Sequence, residues 1–253
     1  MQKLTGMSFG LIGTKEIQEK FKQHLLTLGV NEVDIINLCT MNLVVTKGLQ
    51  RLKHELCKLQ QYQWIVFTSQ NAIKLFFDTM HQHAIDGNEL SHIQFAVVGN
   101  GTKQALLRYG YLADFMPTKY TSADLALELA QIVPKNHRLL IPRASRGSEE
   151  LGAILNKNKI DFLELPIYDV VGTLTNQIEN LSRVHYLVFS SASGVTSFFH
   201  GLEHRKLTLP PEIKIACIGK VTANELQHYK KEADICSNVH DVDGLVASIL
   251  NCI

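Results

Sequence analysis

Cysteine is scarce in this chain, and the spacing of its few copies shows no recognisable pair. There is no C-x-x-C motif and the number is odd; the five positions are Cys39, Cys57, Cys217, Cys236 and Cys252. Such a scatter predicts neither a disulfide framework nor a thiolate metal site. Residues 1–13 also lack the basic and then apolar pattern of a secretion signal. We therefore expect reduced thiols and a cytoplasmic protein.

Long apolar runs and an excess of one charge are missing as well. No stretch approaches eighteen consecutive apolar residues, the length that a membrane-spanning helix needs, so we expect no membrane partner. The formal net charge is +1, which gives no overall basic field and predicts no nucleic-acid partner. With 45% apolar and 19% charged residues, the 253-residue chain is typical of a globular protein of one or two domains.

The signatures of common cofactors are equally absent. Gly99-Asn100-Gly101 has no third glycine at the dinucleotide-binding spacing, and Gly219-Lys220 has Lys214 where a P-loop needs its first glycine. His81 and His83 are two positions apart on a predicted helix, so their rings would point about 200° apart around the helix axis. The sequence therefore predicts no NAD, no ATP and no metal.

What the chain does contain is a repeat across its own midpoint. Residues 66–77 match residues 188–199 at an offset of 122, with five of twelve positions identical. Residues 95–109 match residues 215–229 at an offset of 120, so the two matches are collinear. In both pairs an apolar, strand-like run ends in small polar residues that open a helix. The chain therefore holds two similar units.

Elsewhere the chain alternates short strand-like runs with helical segments, a pattern typical of parallel sheets covered by helices on both faces. Ser122 lies where a helix N-cap is expected, and Thr222 to Glu225 has capping-box spacing. The predicted strands are Phe9–Gly13, Val33–Asn37, Trp64–Thr68, Phe95–Val98, Leu139–Pro142, Phe162–Leu165, Tyr186–Phe189 and Ile213–Ile218, with weaker ones at Ala113–Phe115 and Ala233–Cys236.

A fainter third match predicts the domain organisation. The segment from Leu139 resembles the segment from Phe9 at an offset of about 130. The chain therefore builds the first two strands of one unit, then the whole of the other unit, and then returns to complete the first. We predict an α/β fold of two similar flavodoxin-like or Rossmann-like domains with parallel sheets. The first is discontinuous (residues 1–38 plus 172–253), the second covers residues 42–168, and a two-stranded β ladder joins them.

In doubly wound sheets, ligands bind beyond the carboxyl ends of the strands, where helix N-termini present free backbone N–H groups. Helix capping alone explains any one such turn. Four matched turns in two repeats favour a common role as cradles for an anionic ligand. The candidate binding residues in these turns are Ser69, Gln70, Asn71, Gly99, Thr102, Ser191, Ser193, Gly194, Gly219, Lys220 and Thr222.

Two further segments carry candidate binding residues. Arg143 and Arg146 follow a predicted strand, and arginine binds carboxylates through paired donors. An ion pair with a neighbouring acid explains these arginines equally well. Tyr120 and Thr121 precede a predicted helix that starts in a Thr-Ser-Ala-Asp run.

Taken in order, these motifs resemble the uroporphyrinogen-III synthase family over nearly the whole chain. Each motif is short and degenerate, but their order and spacing are specific. The family's fold, two α/β domains of which the first is discontinuous, agrees with the prediction from the repeats. The matching segments are Val66–Asn71, Val98–Thr102, Tyr120–Leu125, Pro142–Ala144, Ile167–Tyr168, Phe189–Ser191 and Ile218–Ala223.

The resemblance implies that a monomer without cofactor or metal closes hydroxymethylbilane, an octacarboxylate, to uroporphyrinogen III with inversion of ring D and loss of water. The substrate would lie in a cleft between the domains, with its carboxylates on the candidate turns. Because ring closure passes through a resonance-stabilised cation and a spiro intermediate, positioning supplies most of the catalysis. Only the leaving hydroxyl needs a proton donor. Our hypothesis for this donor is Tyr168, whose alternative role is to fill the hinge.

Two departures from the family pattern keep other interpretations open. Gly13-Thr14-Lys15 stands where the family usually has a Thr-Arg-Pro-like turn, and Lys103 replaces a small residue. A non-catalytic two-domain cytosolic protein that binds an anionic small molecule, or a pseudoenzyme of the same family, is the alternative. For an active enzyme, handover of the unstable bilane predicts a transient contact with the enzyme that makes it.

Overall fold

The computed structural model describes residues 4–252 and divides them into two compact units. One unit holds the described residues up to Asn42 and from Val170 onward, and the other runs Leu43–Asp169. Residues 1–3 and 253 of the predicted first domain lie outside the described residues. That each unit folds as an independent domain stays a prediction. We call them the discontinuous unit and the continuous unit.

Strands and helices alternate along the chain. The strands are β1 (Phe9–Gly13), β2 (Ile35–Val45), β3 (Trp64–Phe67), β4 (Gln94–Val97), β5 (Arg138–Ala144), β6 (Asp161–Leu174), β7 (Tyr186–Phe189), β8 (Lys214–Cys217) and β9 (Ile235–Cys236). The helices are α1 (Lys15–Thr27), α2 (Lys47–Leu56), α3 (Gln70–Gln82), α4 (Asn100–Leu107), α5 (Ser122–Ile132), α6 (Glu150–Lys157), α7 (Ala192–His204), α8 (Lys220–Glu225) and α9 (Val242–Asn251).

The discontinuous unit has a parallel sheet in the order β2-β1-β7-β8-β9. Numbered within the unit, this order is 2-1-3-4-5, which is flavodoxin-like. Successive residues of a strand point to opposite faces. Leu11 therefore packs with the α1 residue Phe21 and the α9 residue Leu245, whereas Ile12 packs on the opposite face with the α7 residue Phe198. Both faces of the sheet are covered, as the alternation predicts.

The continuous unit has the parallel order β4-β3-β5-β6. The weak strand predicted at Ala113–Phe115 is only an isolated bridge from Phe115 to Ala96. Trp64, Leu125 and Leu155 pack together between the sheet and helices α5 and α6. Strands β2 and β6 each continue from one unit into the other, and they are neighbours in the hydrogen-bonded strand order. The α/β fold class with parallel sheets is confirmed.

The internal repeat is present in the structure down to single contacts. The backbone N–H of Phe95 donates to Asp114 Oδ2 at 2.7 Å, and that of Ile215 donates to Asp234 Oδ2 at 2.7 Å. Both pairs lie at the same offset of 120 as the match between residues 95–109 and 215–229. Each carboxylate fixes the start of its strand from a loop nineteen residues further on.

The two units differ in the number of tyrosine rings that stack on equivalent phenylalanines. In the continuous unit, Phe77 is stacked on Tyr109 and on Tyr111, with ring centroids 4.5 and 5.1 Å apart. In the discontinuous unit, Phe199 is stacked on Tyr229 at 4.7 Å. The position equivalent to Tyr111 is Lys231. Phe199 and Lys231 therefore line an open cavity of about 620 Å³ instead of packing ring on ring.

We expect Lys231→Tyr to raise the free energy of unfolding by about 1 kcal/mol, because the new ring would stack on Phe199 and fill part of that cavity. Urea unfolding monitored by circular dichroism measures the change. The matched control is Tyr111→Lys, which opens the same space in the continuous unit and should destabilise by about 2 kcal/mol. A Lys231→Tyr protein less stable than the wild type would contradict this account of the cavity.

Three sequence predictions of element boundaries are wrong. Val33 is in a 3₁₀ turn and 75% exposed, and the strand starts only at Ile35, where hydrogen bonds to β1 begin. Ser122 is not the N-cap of α5; Thr121 is, because its hydroxyl accepts the free backbone N–H of Asp124. Thr222 does not cap α8, since the helix already begins at Lys220 and the Thr222 side chain is buried.

Candidate functional site

A polar pocket lies at the carboxyl ends of β3 and β5 in the continuous unit. It has a volume of about 190 Å³. Its lining includes five residues with hydroxyl groups and one arginine, a donor set suited to carboxylates. The structure thus brings together three predicted site residues from distant parts of the sequence. The polar side chains of the lining are Thr68, Ser69, Ser122, Arg143, Ser148 and Tyr168.

Ser69 is placed in this pocket by the strand-to-helix turn after β3. The buried run of β3 ends at Phe67, and Ser69 adopts an extended backbone conformation that stops the strand. Its hydroxyl accepts the backbone N–H of Ala72 at 3.1 Å, which makes it the N-cap of α3. This bond satisfies one of the free donors of the helix and holds the Ser69 hydroxyl at the pocket.

Tyr168 reaches the same pocket because of an irregularity between β5 and β6. Arg143 is opposite Pro166, but the next residue, Ala144, is opposite Tyr168, so Ile167 is left without a partner on β5. Such a bulge redirects the side chains of its strand. The Tyr168 carbonyl accepts the backbone N–H of Ser145 at 2.7 Å, which holds the residue at its new position.

The Tyr168 hydroxyl is buried and hydrogen-bonded. It lies 2.6 Å from the Ser69 hydroxyl and also bonds to the side chain of Asn71, while the residue is only 3% exposed. Burial raises the pKa of the Tyr168 phenol above its ordinary value, although the bonds from Ser69 and Asn71 act in the opposite direction. Tyr168 is therefore a neutral phenol at physiological pH and has a proton to donate.

The raised pKa of Tyr168 predicts a pH dependence of stability. The stabilisation associated with the buried neutral phenol is fully present below the unfolded pKa of about 10 and is lost as pH rises towards the higher folded value. The Tyr168→Phe protein lacks the Tyr168 phenol but keeps all the other tyrosines of the wild type. We expect the stability of the wild type relative to Tyr168→Phe to be constant from about pH 8 to about pH 9 and to fall above about pH 10, measured by urea unfolding. A pH-independent difference would contradict the raised pKa.

Arg143 has an acidic partner inside the protein. One of its terminal nitrogens lies 2.9 Å from Glu164 Oε2 on the neighbouring strand β6, and its side chain is 11% exposed. Within the described part of the chain, the other oxygen, Glu164 Oε1, is buried without a hydrogen-bond donor. Arg146 pairs with Asp169 at 3.1 Å but is 70% exposed. The ion-pair interpretation therefore holds for both arginines, and Arg143 also lines the pocket.

Tyr120 covers the second predicted turn of the continuous unit. A Cβ atom added to Gly99, the N-cap of α4, would lie 3.2 Å from Tyr120 Cγ. The amide of Asn100 donates to the Tyr120 hydroxyl at 3.2 Å. Glycine lets the ring approach the turn closely, and Tyr120 remains 56% exposed. The ring and the turn together form one exposed surface.

The other predicted residues of this unit have local roles in the structure. Gln70 is the first residue of α3, and its side-chain oxygen accepts from Arg108 at 3.4 Å. Thr121 is occupied as the N-cap of α5. The Thr102 side chain is buried, at 6% exposed, within α4. Ligand binding at these three positions stays a prediction.

The discontinuous unit repeats these turns. Ser191 caps α7 by accepting the backbone N–H of Gly194 at 3.1 Å, and its hydroxyl lies 3.2 Å from that of Ser193. Gly219 is the N-cap of α8, Lys220 is exposed, and Thr222 is buried. These predicted residues lie together in two turns, and their contact with substrate stays a prediction.

His240 was missed by the sequence predictions. A Cβ atom added to Gly219 would lie 2.7 Å from His240 Cδ2, so the imidazole covers Gly219 as Tyr120 covers Gly99. Both ring-and-glycine pairs follow the offset of 120. Extending the second sequence match by eleven residues, to Tyr120 and His240, is the signal that would have found it.

Within residues 4–252, no cluster of three or more His, Cys, Asp and Glu side chains is arranged to hold a metal ion. The same residues form no helix that is both long enough and apolar enough to cross a membrane.

The chain is similar to known proteins over most of its length. A curated relative, the porphyrin biosynthesis protein HemD of Ruminiclostridium josui, is 29% identical over 207 residues, which cover 79% of this chain. The chain spans only 40% of the length of that relative. The uroporphyrinogen-III synthase of Synechococcus elongatus is 23% identical over 228 residues, which cover 85% of this chain and 84% of the relative.

The fold is similar to a solved structure as well. A crystal structure of a mutant uroporphyrinogen III synthase from Thermus thermophilus matches with a TM-score of 0.70 and 16% identity, covering 97% of this chain and 98% of that one. At that identity the likeness concerns the fold. The family model described as uroporphyrinogen-III synthase HemD matches residues 20–247, which is nearly the whole chain. The chain therefore belongs to the uroporphyrinogen-III synthase family.

Proposed function

We propose that this chain closes hydroxymethylbilane to uroporphyrinogen III, with inversion of ring D and loss of water, in haem biosynthesis. The observation that carries this proposal is the family match over residues 20–247. The Synechococcus elongatus relative is named for this activity, and the Ruminiclostridium josui relative is named for porphyrin biosynthesis. The pocket at the ends of β3 and β5 is consistent with it, because its hydroxyl and guanidinium donors suit a substrate rich in carboxylates.

In this proposal, Tyr168 protonates the leaving hydroxyl of the bilane. The phenol is neutral, hydrogen-bonded to Ser69 and part of the pocket lining. Loss of water leaves a cation that the pyrrole nitrogen stabilises, so a weak acid is sufficient. After that step the protein holds ring D so that its substituted carbon attacks first, which gives the spiro intermediate. Positioning of this kind needs no strong base.

Substrate carboxylates would be bound by the predicted turns and by the pocket. Arg143 and Ser69 supply side-chain donors, and the turns beginning at Gly99, Ser191 and Gly219 supply backbone N–H groups. We also propose that the protein is a cytoplasmic monomer that transiently contacts the enzyme making its bilane. The scattered spacing of its five cysteines along the sequence supports the cytoplasmic location.

A coupled assay tests the activity. Hydroxymethylbilane is generated in situ, the protein is added, and the oxidised porphyrin products are separated by chromatography. Without enzyme the bilane closes spontaneously to isomer I. We expect predominantly isomer III. Isomer I alone, from protein shown to be folded, would leave a non-catalytic binding protein or a pseudoenzyme of the family.

Variants of two equivalent serines distinguish the effect of helix capping from an effect on catalysis. Ser69 and Ser191 cap equivalent helices, so Ser69→Ala and Ser191→Ala should each destabilise the protein by about 1 kcal/mol. Of these two serines, Ser69 is the one that bonds to Tyr168. We expect Ser69→Ala to lower kcat about tenfold, and Ser191→Ala to raise KM with kcat nearly unchanged. Steady-state kinetics of isomer III formation measure both. Equal kcat values in the two variants would contradict a role for the Ser69–Tyr168 bond.

A further inference from the structure

Two of the five cysteines are brought side by side by the register of the discontinuous sheet. Cys217, the last residue of β8, is the direct partner of Cys236, the last residue of β9, in a parallel pairing. The preceding pair, Ala216 and Ile235, packs on the α1–α9 face of the sheet. Because side chains alternate along a strand, both thiols point to the opposite face, where Cys217 belongs to the core under α7.

The spacing of the two cysteines suits a disulfide. Neighbouring strands lie about 4.8 Å apart, and disulfides join Cα atoms about 4.4–6.8 Å apart. The two sulfur atoms are also close enough to interact electrostatically. Burial is the larger cause and the charge of Cys236 the smaller cause that raise the pKa of the Cys217 thiol to about 12. Strand β9 has only two residues and is the last strand of the sheet order. A short edge strand can adjust to the geometry that a disulfide requires.

The environments of the two thiols assign them different roles. Cys236 is exposed, and its hydrogen bond to the carbonyl of Ser237 is a long one, at 3.9 Å. Cys217 is 0% exposed. An oxidant from solution therefore meets Cys236 first, and Cys217 is placed to react with the product.

We propose that Cys217 and Cys236 are a modification site. A low-molecular-weight disulfide such as oxidised glutathione would oxidise the two thiols to a reversible intramolecular disulfide. The Cys236 thiolate attacks one sulfur of the oxidant and breaks its S–S bond, which forms a mixed disulfide and releases one glutathione thiolate, which takes up the proton that Cys236 lost. The Cys217 thiol then loses its proton and displaces the second glutathione thiolate, which takes up a proton. Two protein thiols are oxidised, and one external disulfide is reduced to two thiols.

This disulfide would act on the predicted substrate turn of the same unit, an effect that rests on the proposed function. Gly219 follows Cys217 by two residues, and His240 follows Cys236 by four. The His240 ring covers Gly219, with 2.7 Å between Cδ2 and the position of an added Cβ. A covalent link between the two strand ends would fix the spacing of this ring and this turn, so we expect the oxidised protein to form isomer III more slowly.

The test uses the full chain with Cys57→Ser and Cys252→Ser, which removes the two other exposed thiols. After incubation with oxidised glutathione, we expect an intact mass lower by two hydrogens and a trypsin product that links residues 215–220 to residues 232–253. Dithiothreitol should reverse both changes. Cys236→Ser in the same background is the matched control and should show neither change.

Either of two results would overturn the disulfide. A stable glutathione adduct on Cys236 with Cys217 still reduced would show that the buried thiol does not reach its partner. An unchanged mass would show that Cys236 does not react. Both readouts are independent of turnover, so failure of the disulfide is distinguishable from failure of the proposed activity. A disulfide that leaves isomer III formation unchanged would overturn only its effect on the turn.

Discussion

Replacing Tyr168 with phenylalanine is expected to slow the formation of uroporphyrinogen III by about 100-fold or more, the usual contribution of a positioned general acid. The substitution removes one oxygen atom and keeps the buried ring. The phenol is the group that combines a raised pKa, a bond to Ser69 and access to the pocket. Without it, the leaving hydroxyl must take its proton from water. The coupled isomer assay measures the rate.

The same variant needs a stability control, because Tyr168 is also a core residue that is 3% exposed. Loss of the hydroxyl leaves Ser69 with its bond from the Ala72 N–H, so we expect destabilisation of only about 1 kcal/mol. A folded Tyr168→Phe protein with near-wild-type turnover would eliminate the proton-donor role. Tyr168 would then only fill space in the core.

The parts of the fold set by local pattern were predictable. Tyr186–Phe189 is an apolar run of four residues, and the structure has a strand with the same bounds. The sequence predicted a strand at Phe162–Leu165 and a separate joining ladder, whereas the structure has one strand, β6, that runs from Asp161 to Leu174. The part beyond Leu165 contains Pro166 and Gly172 and has no alternating pattern. The end of the strand is fixed by a distant residue, because the backbone N–H of Thr175, directly after β6, donates to the Leu38 carbonyl.

The candidate site was predictable only one residue at a time. Ser69 was recognisable from its place after an apolar run, but its bond to Tyr168 spans 99 positions and depends on the bulge at Ile167. The proximity of Cys217 and Cys236 could not be predicted from the sequence for a similar reason. Cys217 and Cys236 are nineteen residues apart in sequence and adjacent only through sheet register. Spacing along a chain does not encode which residues face each other across a parallel sheet.

The ion pair of Arg143 predicts a large loss of stability and a partial rescue. Arg143→Met should lower the free energy of unfolding by about 3 kcal/mol, because it leaves the Glu164 carboxylate, 27% exposed, without its cation. Adding Glu164→Gln removes that charge and should recover most of the loss. Arg146→Met is the matched control: its pair with Asp169 is exposed on the arginine side and should contribute little. Urea unfolding of the four proteins gives these differences.

The double variant also separates the two roles of Arg143, since its fold is restored while its guanidinium is still missing. If the guanidinium binds a substrate carboxylate as proposed, the Arg143→Met/Glu164→Gln protein should keep a KM about tenfold higher than the wild type, equivalent to about 1.4 kcal/mol of lost binding. A double variant with wild-type stability and wild-type KM would make Arg143 a structural partner of Glu164 alone. The carboxylate-binding role would then pass to the hydroxyl groups of the pocket and to the backbone N–H groups of the turns.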